Sequence, residues 1–280
     1  VAAAHHLYRR NALKGLILLP MPEYQHDQIV PFKDSSLSKK RQVAEMFNHI
    51  ANRYDFLNHF LSGGVDNYWR RRAIGELRLL HPKTILDIAT GTGDLSAMMA
   101  KRLRPEKITG IDISPGMLEQ GRQKMARLGL GSLVHLQEGD SEAIEFPDNS
   151  FDAVTVAFGV RNFQNLEKGL QEMRRVLKPE GKMMILEFSK PGKGFFRLVY
   201  KTYLRHIAPR VGKIVSGNGA AYQYLHDSVN AFPEGEDFKQ ILKKTGFTNV
   251  YCKKLSLGIC SIYCGDKDHD LIPQKTVITA

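Results

Sequence analysis

Ile85-Leu86-Asp87-Ile88-Ala89-Thr90-Gly91-Thr92-Gly93-Asp94, followed by Gly110-Ile111-Asp112-Ile113, decides the fold. A buried apolar strand runs into a glycine turn, and a second strand ends in a lone carboxylate, Asp112, 19 residues after Gly93. In an open α/β sheet this arrangement holds an adenosine. The glycines let the backbone approach a ligand, and Asp112 can accept both ribose hydroxyls. A merely tight β–α turn explains the glycines alone equally well; the spacing to Asp112 favours the nucleoside.

The kind of nucleoside follows from the neighbours. A dinucleotide fingerprint needs a third glycine where helix packs on strand, and here that position is Ser96. Asp87, Asp94 and Asp112 crowd the turn with acid, which suits a sulfonium and an ammonium better than a pyrophosphate. S-adenosyl-L-methionine therefore fits better than NAD.

The 280 residues, 42% hydrophobic and 25% charged, suffice for one large α/β domain with insertions. Cys252, Cys260 and Cys264 match no zinc spacing and make no even disulfide set, so they read as buried thiols in a reducing compartment, and no metal is expected. The apolar run Leu16-Ile17-Leu18-Leu19-Pro20-Met21 is far short of the ~18 residues of a membrane span. Residues 1–20 carry Arg9, Arg10 and Lys14 and no acid; an amphipathic targeting peptide is one reading, and a start-site artefact with the true start at Met21 is preferred. Most of the net charge of +11 lies elsewhere.

Val43, Met46, Phe47 and Ile50 share one face of a helix expected within 38–60, and a second helix is expected over 67–80. Strands at 84–88, 107–111, 133–137, 152–157 and 182–187 then alternate with helices at 94–103, 115–128 and 165–176. Such alternation predicts a mostly parallel sheet covered on both faces. A helix at 235–245 and strands at 249–254 and 258–264 suit an antiparallel edge.

Residues 190–213 contain seven Lys and Arg and no acid. Over 195–207 the pattern is a basic amphipathic helix, with Arg197, Lys201 and Arg205 on one face and Phe196, Tyr200 and Tyr203 on another. An ordinary surface helix, an anionic membrane surface and a nucleic acid all fit that composition.

Several further segments resemble one family. They are Tyr54-Asp55-Phe56-Leu57-Asn58 with Leu61-Ser62 and Trp69; Ala157-Phe158-Gly159-Val160-Arg161-Asn162-Phe163; and Arg175-Val176-Leu177-Lys178-Pro179-Glu180-Gly181 closing with Glu187-Phe188-Ser189. Tyr224-Leu225, Ser228, Phe232-Pro233 and Gly246-Phe247 continue the pattern. Over residues 30–266 the chain resembles the C-methyltransferases of menaquinone and ubiquinone biosynthesis. The Tyr-Asp and Phe-Gly-x-Arg-Asn segments are specific to that family, whereas Leu-Lys-Pro-x-Gly is common to many methyltransferases. Leu57 replaces the family's usual methionine, Asp66 its histidine, and Ala157 a serine whose cofactor contact is not carried over.

The resemblance implies a class I methyltransferase: an α/β, Rossmann-like fold with a mostly parallel seven-stranded sheet and helices on both faces. The expected division is an extension over 1–35, a methyltransferase domain over 36–266 with a basic and aromatic lid insertion over 190–232, and a tail over 267–280. The cofactor residues implied are Asp87, Gly91, Thr92 and Gly93 at the turn, Asp112 on the ribose, and Asp140 and Ser141 near the adenine. From sequence alone Asp140 is equally a turn cap.

The implied reaction is methyl transfer to a ring carbon of a prenylated hydroquinone. Carbon is a poor nucleophile until the neighbouring phenol loses its proton. Arg161 is expected to stabilise that oxyanion, directly or through a water oriented by Asn162, the alternative being a salt bridge that fixes the loop. Asp66 and Asp55 are the weaker candidates for a base, and Tyr54, Tyr222 and Tyr224 for contacts to the quinone ring.

The leading reading is conversion of demethylmenaquinol to menaquinol, followed by a ubiquinone-pathway or dual-substrate enzyme. Readings from other classes are a non-catalytic S-adenosylmethionine-binding scaffold of a quinone-synthesis complex and an NAD-dependent dehydrogenase. A scaffold should have lost Asp112 or Arg161, and both are present. The expected partners are the prenylated hydroquinone and an anionic membrane touched through 195–207, not nucleic acid, with a homodimer left open. The expected location is cytoplasmic, peripheral at the inner face of the cytoplasmic membrane.

Overall fold

A computed structural model describes residues 24–55, 62, 64–190 and 220–268. Its frame is one seven-stranded sheet in the order β3-β2-β1-β4-β5-β7-β6. The strands are β1 (Thr84–Ile88), β2 (Lys107–Asp112), β3 (Val134–Glu138), β4 (Phe151–Ala157), β5 (Leu177–Phe188), β6 (Thr248–Leu255) and β7 (Cys260–Asp266). β1 through β5 pair in parallel, and β7 inserts antiparallel between β5 and β6. The class I architecture expected from the sequence is the one observed.

The apolar run of β1 is buried from Ile85 to Ile88, as a central strand covered on both faces requires. Helices α1 (Lys39–Ile50), α2 (Asp66–Gly75), α3 (Asp94–Leu103), α4 (Pro115–Arg127), α5 (Leu166–Val176), α6 (Ala220–Ala231) and α7 (Glu236–Lys244) surround it. Local chemistry sets several starts. Ser114 Oγ accepts from Met117 N ahead of Pro115 at the first helical position, and Asn165 Oδ1 accepts from Lys168 N at 3.0 Å.

The chain order reverses between β1 and β4, so their carboxyl ends open a crevice where ligands of such sheets bind. α4 closes tightly on this edge. A Cβ on Gly121 would lie 2.5 Å from Leu136 Cδ1 and 3.2 Å from the carbonyl of Thr92, whose backbone belongs to the glycine turn. Gly121→Ala should cost about 1–2 kcal/mol net, because overpacking of ~1–3 kcal/mol outweighs the ~1 kcal/mol of regained helix propensity. Thermal melting is the check, with a fall of a few degrees expected.

Several boundaries differ from the sequence reading. The helix expected over 67–80 ends as an α-helix at Gly75 and resumes as a 3-10 turn at Arg78–Leu80. The strand expected at 182–187 begins five residues earlier, because Lys178-Pro179-Glu180-Gly181 forms a bulge within it, with Glu180 at φ 63° and the register shifting between Phe151 and Ala153.

Residues 24–35, read as part of an extension, pack against the domain. Tyr24 Oη donates to Glu167, His26 is buried edge-on against Phe232, and Lys39 Nζ donates to the His26 carbonyl at 2.6 Å. Within the span expected as a lid, the described part of 220–232 buries Tyr224, Ser228 and Phe232. The basic helix expected over 195–207 and the Tyr222 side chain lie outside the described residues. No helix among the described residues is long and apolar enough to cross a membrane.

Candidate functional site

Two loops meet at the crevice. After β1, Ala89 takes a positive φ of 50°, and after β4, Phe158 takes one of 58°; a Cβ on the next residue, Gly159, would lie 2.5 Å from Ala89 Cβ. Only glycine lets these loops touch, which accounts for the Phe-Gly pair of the sequence. Strained non-glycine backbone on both sides of one cleft is a common mark of a functional site.

The cleft has two connected lobes that share Tyr54, Ala89, Gly91 and Ala157. The first is walled by Asp112, Asp140, Ser141 and Asn162 under the Lys40, Val43 and Phe47 face of α1. The second is walled by Arg70, Asp87, Thr92 and Asp94.

Asp112 is held with both oxygens engaged: Gly91 N donates to Oδ2 at 2.8 Å and Ser114 N to Oδ1 at 2.9 Å. Burial nevertheless pushes its pKa up to about 6, against the pull of those amides. Asp140, at the other end of the lobe, is paired with Lys40 Nζ at 2.5 Å, and Lys40 also reaches Glu142 at 3.1 Å. Lys40 thus latches α1 over the corner beside Ser141. Glu142 in turn accepts the backbone N–H groups of Gln164 and Asn165.

In the second lobe Asp87 is saturated. It accepts the hydroxyls of Thr90 at 2.7 Å, Ser96 at 2.6 Å and Thr155 at 2.8 Å, and burial raises its pKa in spite of them. Ser96, which replaces a dinucleotide-type glycine, therefore anchors the carboxylate under the turn. Gly93 opens α3 at φ 77° without lining the cleft. The Thr92 hydroxyl donates to Asp55 at 2.6 Å and accepts from Lys124, which also bridges Asp55 and Asp94. Asp94 keeps one buried oxygen, Oδ2, without a hydrogen-bond partner, 3.8 Å from Arg70 Nη2.

Three candidates from the sequence lie behind the cleft and do not line it: Arg161, Asp66 and Tyr224. The Arg161 guanidinium pairs with the fully buried Glu187 at 2.9 Å, donates to the Phe158 carbonyl and stacks over Phe188. That is the loop-fixing arrangement, because Glu187 sits on β5 and Phe158 opens the loop after β4. Asp66 accepts from Arg70 and, at 2.9 Å, from Ser62, buried at the start of α2. Tyr224 Oη donates to Asn162 Oδ1 at 3.1 Å, and burial raises its pKa, so it stays a phenol.

Sequence reading passed over Lys40, Arg70 and Lys124. Arg70 had a visible signal: it falls with Asp66, Trp69, Ala73 and Ile74 on the buried face of α2, where an unpaired arginine would be costly. Lys40 and Lys124 had none, because their acids are distant in the chain.

Likeness to known proteins agrees with this geometry. A demethylmenaquinone methyltransferase of Bacteroides fragilis is 42% identical over 244 residues, spanning 87% of this chain and 99% of that protein. One from Deinococcus radiodurans is 46% identical over 229 residues, 82% of this chain and 94% of its own. A ubiquinone/menaquinone biosynthesis C-methyltransferase of Geobacter sulfurreducens is 43% identical over 230 residues, 82% and 90%. Among solved structures, a SAM-dependent methyltransferase of Thermotoga maritima superposes with a TM-score of 0.56 at 19% identity, covering 80% of this chain and 99% of that one. Haemonchus contortus phosphoethanolamine N-methyltransferase 2, solved with S-adenosyl-L-methionine, gives 0.53 at 16%, covering 80% and 60%. Those two share the fold. Residues 35–267, which take in every strand and the whole cleft, match one family throughout, and the chain belongs to it: the ubiE/COQ5 methyltransferases.

Proposed function

We propose that the chain methylates a ring carbon of a prenylated demethylmenaquinol, using S-adenosylmethionine. The observation that carries the cofactor is the pairing of Asp112, preset by two backbone amides, with Asp94 Oδ2, which accepts no hydrogen bond, one lobe away. The donor set suits the molecule end to end. Asp112 would take the ribose hydroxyls, Asp94 Oδ2 the ammonium and Arg70 the carboxylate, with Ser141 at the adenine end. When bound, S-adenosylmethionine supplies an electrophilic methyl group on a sulfonium. Asp140 joins the adenine contacts once Lys40 releases it, so α1 has to lift for entry. The free space under α1, about 60 Å3, is small beside the ~300–1,000 Å3 of ordinary ligand pockets.

For the quinol the chain must favour a phenolate. Asn162 lines the cleft, and the Tyr224 hydroxyl occupies its Oδ1, which leaves the Nδ2 hydrogens to donate to a developing oxyanion. Arg161, paired to Glu187, holds this loop and acts as a positioning residue beneath Asn162. Asp66 serves Arg70 rather than the quinol, and Tyr54, common to both lobes, is the candidate for the ring contact. The quinone nucleus follows the names borne by the relatives.

The test is initial rates with labelled S-adenosylmethionine on a reduced short-chain demethylmenaquinol and on the matching methoxy-benzoquinol. Turnover of the naphthoquinol is expected. Equal turnover of both would make the enzyme dual-substrate, and binding of the cofactor without transfer to either would establish the scaffold reading instead.

A further inference from the structure

α2 has two working faces. Its inner face buries Trp69, Ala73 and Ile74 and sends Arg70 to the cleft. Its outer face and the following turn, far from bland, carry Val65, Tyr68 and Leu79 in the open, Leu79 at 94% exposure. Beside them Arg71, Arg72 and Arg78 join Arg102, from the end of α3, around a groove of about 550 Å3. The acid in that groove is Glu76, already engaged by Tyr251 Oη at 2.9 Å and Lys253 Nζ at 2.7 Å. None of the four arginines is in an ion pair among the described residues; Arg71 donates to the Asn67 carbonyl.

We propose that this outer face of α2, with the Arg78–Leu80 turn, docks the protein on an anionic lipid bilayer. Four guanidiniums around one neutralised acid call for a dense negative surface. A nucleic acid would satisfy the arginines but offers nothing to a leucine that stands almost wholly in water beside them. A bilayer takes both: headgroups meet the arginines, while Leu79, Tyr68 and Val65 enter the boundary with the acyl chains. The same helix reaches the cleft through Arg70, so docking would bring the site's own scaffold to the lipid. This inference does not depend on which quinol is methylated.

Co-sedimentation of the full chain with vesicles of pure phosphatidylcholine and of equimolar phosphatidylcholine and phosphatidylglycerol is the test. Wild type should bind the anionic vesicles and leave the neutral ones. An arginine near such a surface contributes about fivefold, so Arg72→Glu with Arg78→Glu should weaken binding at least about 25-fold. Leu79→Asp, at an exposed site that leaves every arginine in place, should weaken it about tenfold. Turnover on a short-chain quinol in detergent-free buffer should be unchanged in both variants. Wild-type binding that neither variant alters would overturn the proposal, as would a Leu79→Asp variant that binds like wild type. A wild-type dimer that Leu79→Asp dissociates in sedimentation velocity would also overturn it, in favour of a second copy on this face.

Discussion

Replacing Asp112 by asparagine will weaken S-adenosylmethionine binding about 100-fold while leaving the circular dichroism spectrum unchanged. The carboxylate now accepts one backbone N–H on each oxygen, from Gly91 and from Ser114, and these fix its plane at the end of β2. An amide nitrogen would face one of those N–H groups, donor against donor. It would also replace charge-assisted hydrogen bonds to the ribose, worth ~1.5–3 kcal/mol each, by neutral ones. Isothermal titration measures the loss directly. The same group sets a pH dependence. With its pKa pushed up to about 6 by burial, Asp112 is the ionised acceptor above that pH, so cofactor affinity should fall about tenfold per unit below it. Stability of the cofactor-free chain runs the other way. A carboxyl whose pKa is raised on folding favours the folded state as pH falls from about 6 toward its ordinary 3.8. Wild type should show this divergence between binding and stability, and the asparagine variant should not.

Glu187→Ala should be the most destabilising single change in the site, at about 3–5 kcal/mol. Glu187 is wholly buried on β5, and it accepts from the Arg161 guanidinium and from Phe188 N at 2.8 Å. Its loss leaves a buried cation whose Nε already lacks a partner. For a domain of this size the melting temperature should drop by roughly 10 °C. The paired change Glu187→Leu with Arg161→Met should regain most of that loss, since removing both charges leaves neither stranded. If the pair only anchors the loop, the double variant should also regain methyl transfer, with kcat near wild type. A double variant that is stable but inactive would instead give the Arg161 charge a direct part in forming the phenolate.

The sheet was legible because its signals are local. β1 is a buried apolar run from Ile85 to Ile88, Asp112 ends the next strand, and Ser38, Ser114 and Asn165 cap the helices that follow them. The bulge inside β5 was less so, because Pro179 and Gly181 look like a strand boundary until the pairing with β4 resumes at Lys182. That Gly91 and Asn162 line the cleft could be read because they follow β1 and β4, which meet at the topological reversal, and Asp112 because it ends β2 beside β1. The Lys40 latch could not: it joins residues 100 apart, through a helix whose only visible pattern was apolar. Nor could the packing of residues 24–35, where a polar Gln25-His26-Asp27-Gln28 turn hides a histidine that is completely buried. Arg161 shows the limit of motif reading most clearly. The sequence marks the position, but its partner, Glu187, sits on a different strand and changes what its charge is free to do.

The most direct test of the account is the position of the transferred methyl group. The protein is incubated with S-adenosylmethionine carrying a carbon-13 methyl and a reduced short-chain demethylmenaquinol, and the product is examined by NMR. A labelled methyl bonded to the ring carbon is expected, with the ring proton at that position gone. A labelled methoxy group on the quinol oxygen, or no labelled product from protein that binds the cofactor, would contradict it.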